Sequence, residues 1–185
     1  MRRRRMPIQF ITGSKHKFSE INAIVGGLEQ LDIDLPEIQG VDPEPIIEAK
    51  LQQAMIDHHG ELIVEDTSLF MECLNGLPGP LIKWFMVKLG RQGLWQLADK
   101  SGLYEAEART TIGYTDGTSR VRYFVGSTSG VIVPPTGASN FGWDPVFRPD
   151  EGDGRTYAEM TQAEKNAVSH RGKAARALKA FLDGR

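Results

Sequence analysis

Apolar residues recur along the chain with two periods, and the switches between them mark the elements. PIQFITGS carries a short apolar run into a glycine-containing turn, the pattern of a strand. KHKFSEINAIVGG then sets Phe18, Ile21, Val25 and Leu28 at helical spacing, with Gly26 and Gly27 as the stop. In LDIDLPEIQG, Leu31, Ile33 and Leu35 alternate as in a strand until Pro36 and Gly40. IIEAKLQQAMIDHHG predicts a helix with Ile47, Leu51, Ala54 and Met55 inward, ending near Gly60. ELIVEDTSLFM predicts a second buried strand whose Leu62-Ile63-Val64 run stops at Glu65 and Asp66.

LNGLPGPLIKWF is a turn-rich connector into a helix carrying Ile82, Phe85, Met86 and Leu89, and GLWQLADK predicts a further short helix. A hairpin follows: Ala106, Ala108, Thr110 and Ile112 alternate before Asp116-Gly117, and Val121, Tyr123 and Val125 alternate after it. GVIV is expected as one more strand. In the tail, Thr161 and Glu164 have capping-box spacing, and Ser169 suits an N-cap for a helix carrying Ala174, Leu178, Phe181 and Leu182. Helices mixed with strands, one pair clearly antiparallel, predict a mixed α/β fold with a mixed sheet flanked by helices. No repeat or linker divides the chain, so residues 1–185 are expected to form a single domain, with residues 1–6 a disordered basic tail.

Composition narrows the function classes. With a formal charge of -2 there is no global basic field to recruit nucleic acid, and a small anionic ligand suits the chain better. Arg2 to Arg5 also have the composition of a nuclear signal or nucleic-acid arm, although a solvated tail accounts for them. The single cysteine, Cys73, excludes an intrachain disulfide and points to a reducing compartment. No apolar run reaches membrane-spanning length, so a cytoplasmic protein with no membrane partner is expected.

Four stretches carry candidate chemistry. TGSKHK, Thr12, Gly13, Ser14, Lys15, His16 and Lys17, offers turn N–H groups, a hydroxyl, two lysines and the positive end of a helix, features that suit a phosphate chain, or equally a helix start with solvated lysines. In VEDTS, the adjacent Glu65 and Asp66 at the end of an apolar strand are costly unless paired, hydrated or bound to a cation. With Glu37 of LPE they make a carboxylate trio suited to a hard cation that keeps waters, such as Mg²⁺, or simply the acids of a following element. SHR places Ser169, His170 and Arg171 at a helix start, one turn after Lys165. Lys50, Lys83 and the His58-His59 pair suit solvated faces as well as a site. Finally, FGWDPVF is either a packed turn with Trp143 folded onto the core, or a flat binding surface.

TGSKHK, LPEIQG, VEDTSLF, LNGLPGPLIKWF, FGWDPVF, TYAEM and AEKNAVSHR, in this order over nearly the whole chain, resemble the inosine triphosphate pyrophosphatase family, in its eukaryotic form. The resemblance implies a long mixed sheet between two lobes, a nucleotide cleft, a homodimer, and Mg²⁺ (Mn²⁺ as a substitute). It implies hydrolysis of the triphosphates of inosine, deoxyinosine and xanthosine to monophosphate and pyrophosphate. Phosphate contacts would fall on Thr12 through Lys17 with Lys50, metal contacts on Glu37 and Asp66, and Thr67 and Lys83 would line the cleft. Base contacts would fall on Phe141, Gly142, Trp143, Asp144, Lys165, His170 and Arg171. Asp66, Glu65 and Lys17 would be the catalytic group. Ser14 departs from the family's usual asparagine, and the spacing from Glu37 to Lys50 is one residue longer. A pyrimidine triphosphatase and a non-catalytic nucleotide sensor are the competing readings.

Overall fold

The computed structural model describes residues 7–138 and 142–185; Arg2 to Arg5 and Phe141 lie outside the described residues. The elements are β1 (Ile8–Ile11), α1 (Lys15–Val25), β2 (Leu28–Leu31), α2 (Pro43–Asp57), β3 (Leu62–Met71), β4 (Pro78–Gly79), α3 (Ile82–Ser101), β5 (Glu105–Thr115), β6 (Arg122–Ile132), β7 (Phe147–Pro149), α4 (Gln162–Val168) and α5 (His170–Asp183). The strands make one mixed sheet in the order β2-β1-β3-β5-β6-β7, with β4 paired to β3. β1 is parallel to β2 and β3, and the remaining pairs are antiparallel. The expected mixed sheet with flanking helices is therefore present. Among the described residues, no helix is long and apolar enough to cross a membrane.

β3 organises the core because its side chains alternate between the two faces of the sheet. Ile63 joins Phe10, Ile21, Ala174 and Leu178 under α1 and α5. Leu62 and Val64, on the other face, join Ile47, Leu51 and Ala54 of α2. Farther along, Leu69 and Met71 enter a third cluster with Ile82, Leu94, Trp143, Phe147 and Tyr157. Ile47 and Leu51 are fully buried, so truncating either to alanine should cost about 2–5 kcal/mol.

Two glycines let helices approach the sheet. A Cβ on Gly126 of β6 would lie 2.1 Å from the His170 carbonyl oxygen and 2.4 Å from the Ala174 nitrogen, so α5 rests directly on the strand. A Cβ on Gly113 of β5 would lie 2.1 Å from Ile47 Cγ2 on the opposite face.

The structure also revises the expected elements. The alternating Leu31, Ile33 and Leu35 do not form one strand; pairing to β1 ends at Leu31, and the chain beyond is unpaired until α2. GVIV does not make a separate strand, because Gly130 to Ile132 continue β6. GLWQLADK is not a separate helix but the second half of α3, which kinks at Gly90 (φ 64°, ψ -173°). Just before this kink Leu89 is 43% exposed, not inward. The hairpin, the Thr161–Glu164 capping box and the Ser169 N-cap are as expected.

Candidate active site

The end of β1 leads into a loop that the sequence closes locally. Thr12 Oγ1 accepts from the Ser14 amide at 3.1 Å. Ser14 is the N-cap of α1, its Oγ accepting from the Lys17 amide at 3.3 Å. The serine in place of asparagine thus satisfies one of the orphan amides of the first turn.

This loop opens onto a cleft of about 620 Å³. It gathers most of the residues expected from the sequence: Thr12, Gly13, Ser14, Lys17, Glu37, Lys50, Glu65, Asp66, Thr67 and Lys83 from one stretch of its wall, and Gly142, Trp143, Asp144, His170 and Arg171 from the other. Lys15 and His16 are exposed on the first turn of α1 and do not line it. Lys165 lies behind the wall, 5% exposed. Phe141, expected as a stacking face, lies outside the described residues.

At one end the charges form a continuous buried network. Lys165 Nζ sits 3.0 Å from Glu20 Oε1 and 2.6 Å from Asp144 Oδ2. Arg171 pairs with Glu20 through Nη1, donates from Nη2 to Thr67 Oγ1 at 2.9 Å, and places Nε 3.5 Å from Glu65 Oε2. Thr67 in turn donates to Glu65 Oε2 at 2.8 Å, while Lys17 pairs with Glu65 Oε1. Burial alone would raise the Glu65 carboxyl, but the charges of Lys17 and Arg171 outweigh it and hold Glu65 at about 2. Glu20 is likewise held low by Arg171 and Lys165 despite its burial. Asp144 is raised, its burial outweighing the attraction of Lys165.

His170 stacks on Trp143, with ring centroids 5.4 Å apart and planes 24° apart. Burial, followed by the charges of Arg171 and Lys165, pushes His170 well below the ordinary imidazole range, so its ring is neutral. Nδ1 lies 3.4 Å from the Tyr157 hydroxyl, and Nε2 is buried without a hydrogen-bond partner. Trp143 also packs against Phe147 and Tyr157. Both readings of FGWDPVF therefore apply to one residue: the indole is core on one side and cleft wall on the other.

The other end is less compensated. Asp66 accepts from Ser68 Oγ at 2.8 Å. Its burial, reinforced by the neighbouring Glu65 charge, raises it to about 6 even against that hydrogen bond. Glu37, on the loop before α2, pairs with Lys50 Nζ at 2.5 Å, and this bond holds it low against partial burial. The expected carboxylate trio does not close on itself. Among the described residues no three His, Cys, Asp or Glu side chains are placed to hold an ion by themselves, because Glu65 turns to the opposite face of β3 from Asp66 and is occupied by Lys17 and Arg171. Glu37 and Asp66 remain on one cleft as hard oxygen donors. Two carboxylates suit a cation such as Mg²⁺, which takes its other ligands from water and phosphate oxygens.

Glu20 escapes sequence reasoning, since an acid on an amphipathic helix reads as solvated; its one signal is a place one turn after Lys17, on the flank of Ile21. Arg91 escapes as well. Its Nε donates to the Gly142 carbonyl at 2.8 Å from the far half of α3.

Comparison with known proteins agrees with this architecture. The model of the Ham1 family matches residues 8–181. The chain is 42% identical over 180 residues to inosine triphosphate pyrophosphatase from Schizosaccharomyces pombe, covering 95% of both proteins. It is 45% identical over 179 residues to inosine triphosphate pyrophosphatase from Emericella nidulans, covering 95% of this chain and 96% of the relative. Its fold is similar to that of a HAM1 protein from Coxiella burnetii, with a TM-score of 0.82 at 24% identity over 96% of this chain and 98% of that one. A family match spanning both walls of the cleft, joined to relatives above 40% identity over nearly the full chain, shows that this protein belongs to the Ham1 family.

Proposed function

We propose that the protein hydrolyses non-standard purine nucleoside triphosphates, those of inosine, deoxyinosine and xanthosine, between the α and β phosphates, releasing monophosphate and pyrophosphate. The observation that carries this reading is one cleft with two chemically distinct ends. Buried Trp143, His170 and Arg171 form one, the start of α1 with Lys50 and Lys83 forms the other, and Lys17 bridges the two through its pair with Glu65. The names of the two fungal relatives support the substrate class.

Base selection follows from hydrogen-bond polarity. Hypoxanthine and xanthine present a 6-oxo acceptor to the guanidinium edge of Arg171, whereas adenine presents an amino donor. A buried donor facing a donor loses its bond, and such sites discriminate far better than apolar fit. The flat ring is held against Trp143.

At the phosphate end, the α1 N-terminus and Lys17 take the anionic oxygens, and Lys50 and Lys83 add charge beside them. Lys17 and Lys50 are paired with Glu65 and Glu37, so a triphosphate arriving here exchanges one anionic partner for another. Glu37 and Asp66 would hold Mg²⁺, or Mn²⁺ as a substitute, which would supply charge screening at the phosphates. Asp66 orients the attacking water and accepts its proton. The reading also includes a homodimer, which rests on the motif resemblance, acting in the cytoplasm, which rests on the single cysteine.

The test is an incubation with inosine, adenosine and deoxyuridine triphosphates, each with Mg²⁺ or with EDTA, followed by product identification. Inosine monophosphate with pyrophosphate, formed only with the cation, is the expected result. Inosine diphosphate with orthophosphate overturns the bond assignment. Preference for deoxyuridine triphosphate overturns the base assignment, and binding without turnover overturns the enzyme.

A further inference from the structure

The segment that closes the base end is pinned at two points, and only one of them belongs to a motif. Asp144 is held by Lys165 at 2.6 Å. Two residues earlier, Gly142 has φ +48°, a conformation that favours glycine, and its carbonyl oxygen accepts from Arg91 Nε at 2.8 Å across 51 residues of sequence. Trp143 lies between these pins, stacked on His170. A guanidinium donor on a carbonyl is charge-assisted, so this one bond holds the Gly142 oxygen more firmly than a neutral donor would.

The sequence makes a visible concession to deliver Arg91. α3 breaks at Gly90, where φ is 64°. Residues before the break, Ile82, Lys83, Met86 and Val87, line the cleft. The second half begins with Arg91 and continues to buried Leu94 and Ala98. A Cβ at Gly90 would meet nothing within 4 Å, so crowding does not explain the glycine, whereas its positive φ does. The helix is thus bent where its next residue reaches the base segment.

We infer that Arg91 is a positioning residue for base selection: by holding the Gly142 carbonyl it sets the pitch of Trp143 and Asp144 against His170 and Arg171. The inference rests on the proposed function for its substrate, but not for the contact itself.

Two measurements on Arg91→Ala and Arg91→Lys test it. Amide hydrogen exchange should accelerate in Arg91→Ala over residues 142–147, leaving β3 and β5 unchanged. The Michaelis constant for inosine triphosphate should rise about three- to ten-fold with kcat within about two-fold, the kcat/KM preference over adenosine triphosphate falling by a similar factor. Arg91→Lys keeps the charge but loses the Nε fork and should recover part of both effects. Unchanged exchange over 142–147 overturns the inference, as does faster exchange with unchanged KM and selectivity. Acceleration throughout the sheet assigns Arg91 to general stability and overturns it too. If the parent protein does not prefer inosine to adenosine triphosphate, the proposed function fails separately, and the exchange result alone decides whether Arg91 holds the segment.

Discussion

Glu65 and Asp66 are neighbours on one strand, both buried and both in the cleft wall, yet they lie on opposite faces of β3 and their carboxyls move in opposite directions, to about 2 and about 6. On the Glu65 face, Lys17, Arg171, Thr67, Glu20, Lys165 and Asp144 complete a network of opposed charges. On the Asp66 face the carboxyl has a hydrogen bond from Ser68 and, among the described residues, no ion pair. The first face is assembled before any ligand arrives, which is what selective recognition of a base requires. The second holds negative charge at a cost, which makes it receptive to a cation and able to take a proton.

The sharpest way to break this contrast is to neutralise each acid in turn. Glu65→Gln leaves Arg171 and Lys17 short of an anion inside the fold and should cost about 3–5 kcal/mol of stability in urea unfolding. A loss under about 1 kcal/mol would mean that the network is not held by its charges. Asp66→Asn should leave the fold intact and lower kcat for inosine triphosphate by about 100-fold or more. A folded variant nearly as active as the parent would take the role of base away from Asp66.

Acid titration sharpens the contrast further. The Glu65 carboxyl lies below its ordinary value of 4.5, so its stabilising contribution is full above that value and is lost as the pH falls towards 2. Asp66 lies above its ordinary 3.8, so its cost is absent below that value and complete above about 6. Without divalent cations, Asp66→Asn should therefore gain on the parent by about 2 kcal/mol between pH 4 and pH 7, read from urea midpoints; a constant difference across that range would remove the burden assigned to Asp66. The smallest effect belongs to the exposed turn: Lys15→Ala and His16→Ala should change kcat/KM by less than about two-fold, and a larger loss would bring those side chains into the phosphate site.

Much of this was legible in the chain. Helices and hairpin announce themselves through spacing and caps, as at Thr161, Ser169 and Asp116-Gly117, because those signals are local. The acids of VEDTS stand out because charge interrupts an apolar run, but their place in the middle of β3 and not at its end was hidden: Ser68, Leu69 and Met71 keep pairing with β5 beyond them. Opposite facing follows from strand alternation, whereas which face carries cations depends on helices distant in sequence. Glu20 and Arg91 were missed for that reason. Leu31, Ile33 and Leu35 alternate like a strand, yet after Leu31 there is no neighbouring edge to pair with, and periodicity cannot report a missing partner.

The contacts of Glu20 also bear on the order of events during synthesis. Its two cationic partners, Lys165 and Arg171, come 145 and 151 residues later. Until α4 and α5 have left the ribosome, α1 carries an acid suited to burial with nothing to bury it against, and contacts of such long separation form late in folding. A nascent chain can hold β1, α1 and the parallel pairing with β3 and still have no purine pocket. Maturation of the pocket is thereby tied to docking of α4 and α5, and a chain interrupted before residue 165 is left with a carboxylate that favours solvent over collapse and a β1–α1 unit whose cover has not yet been made.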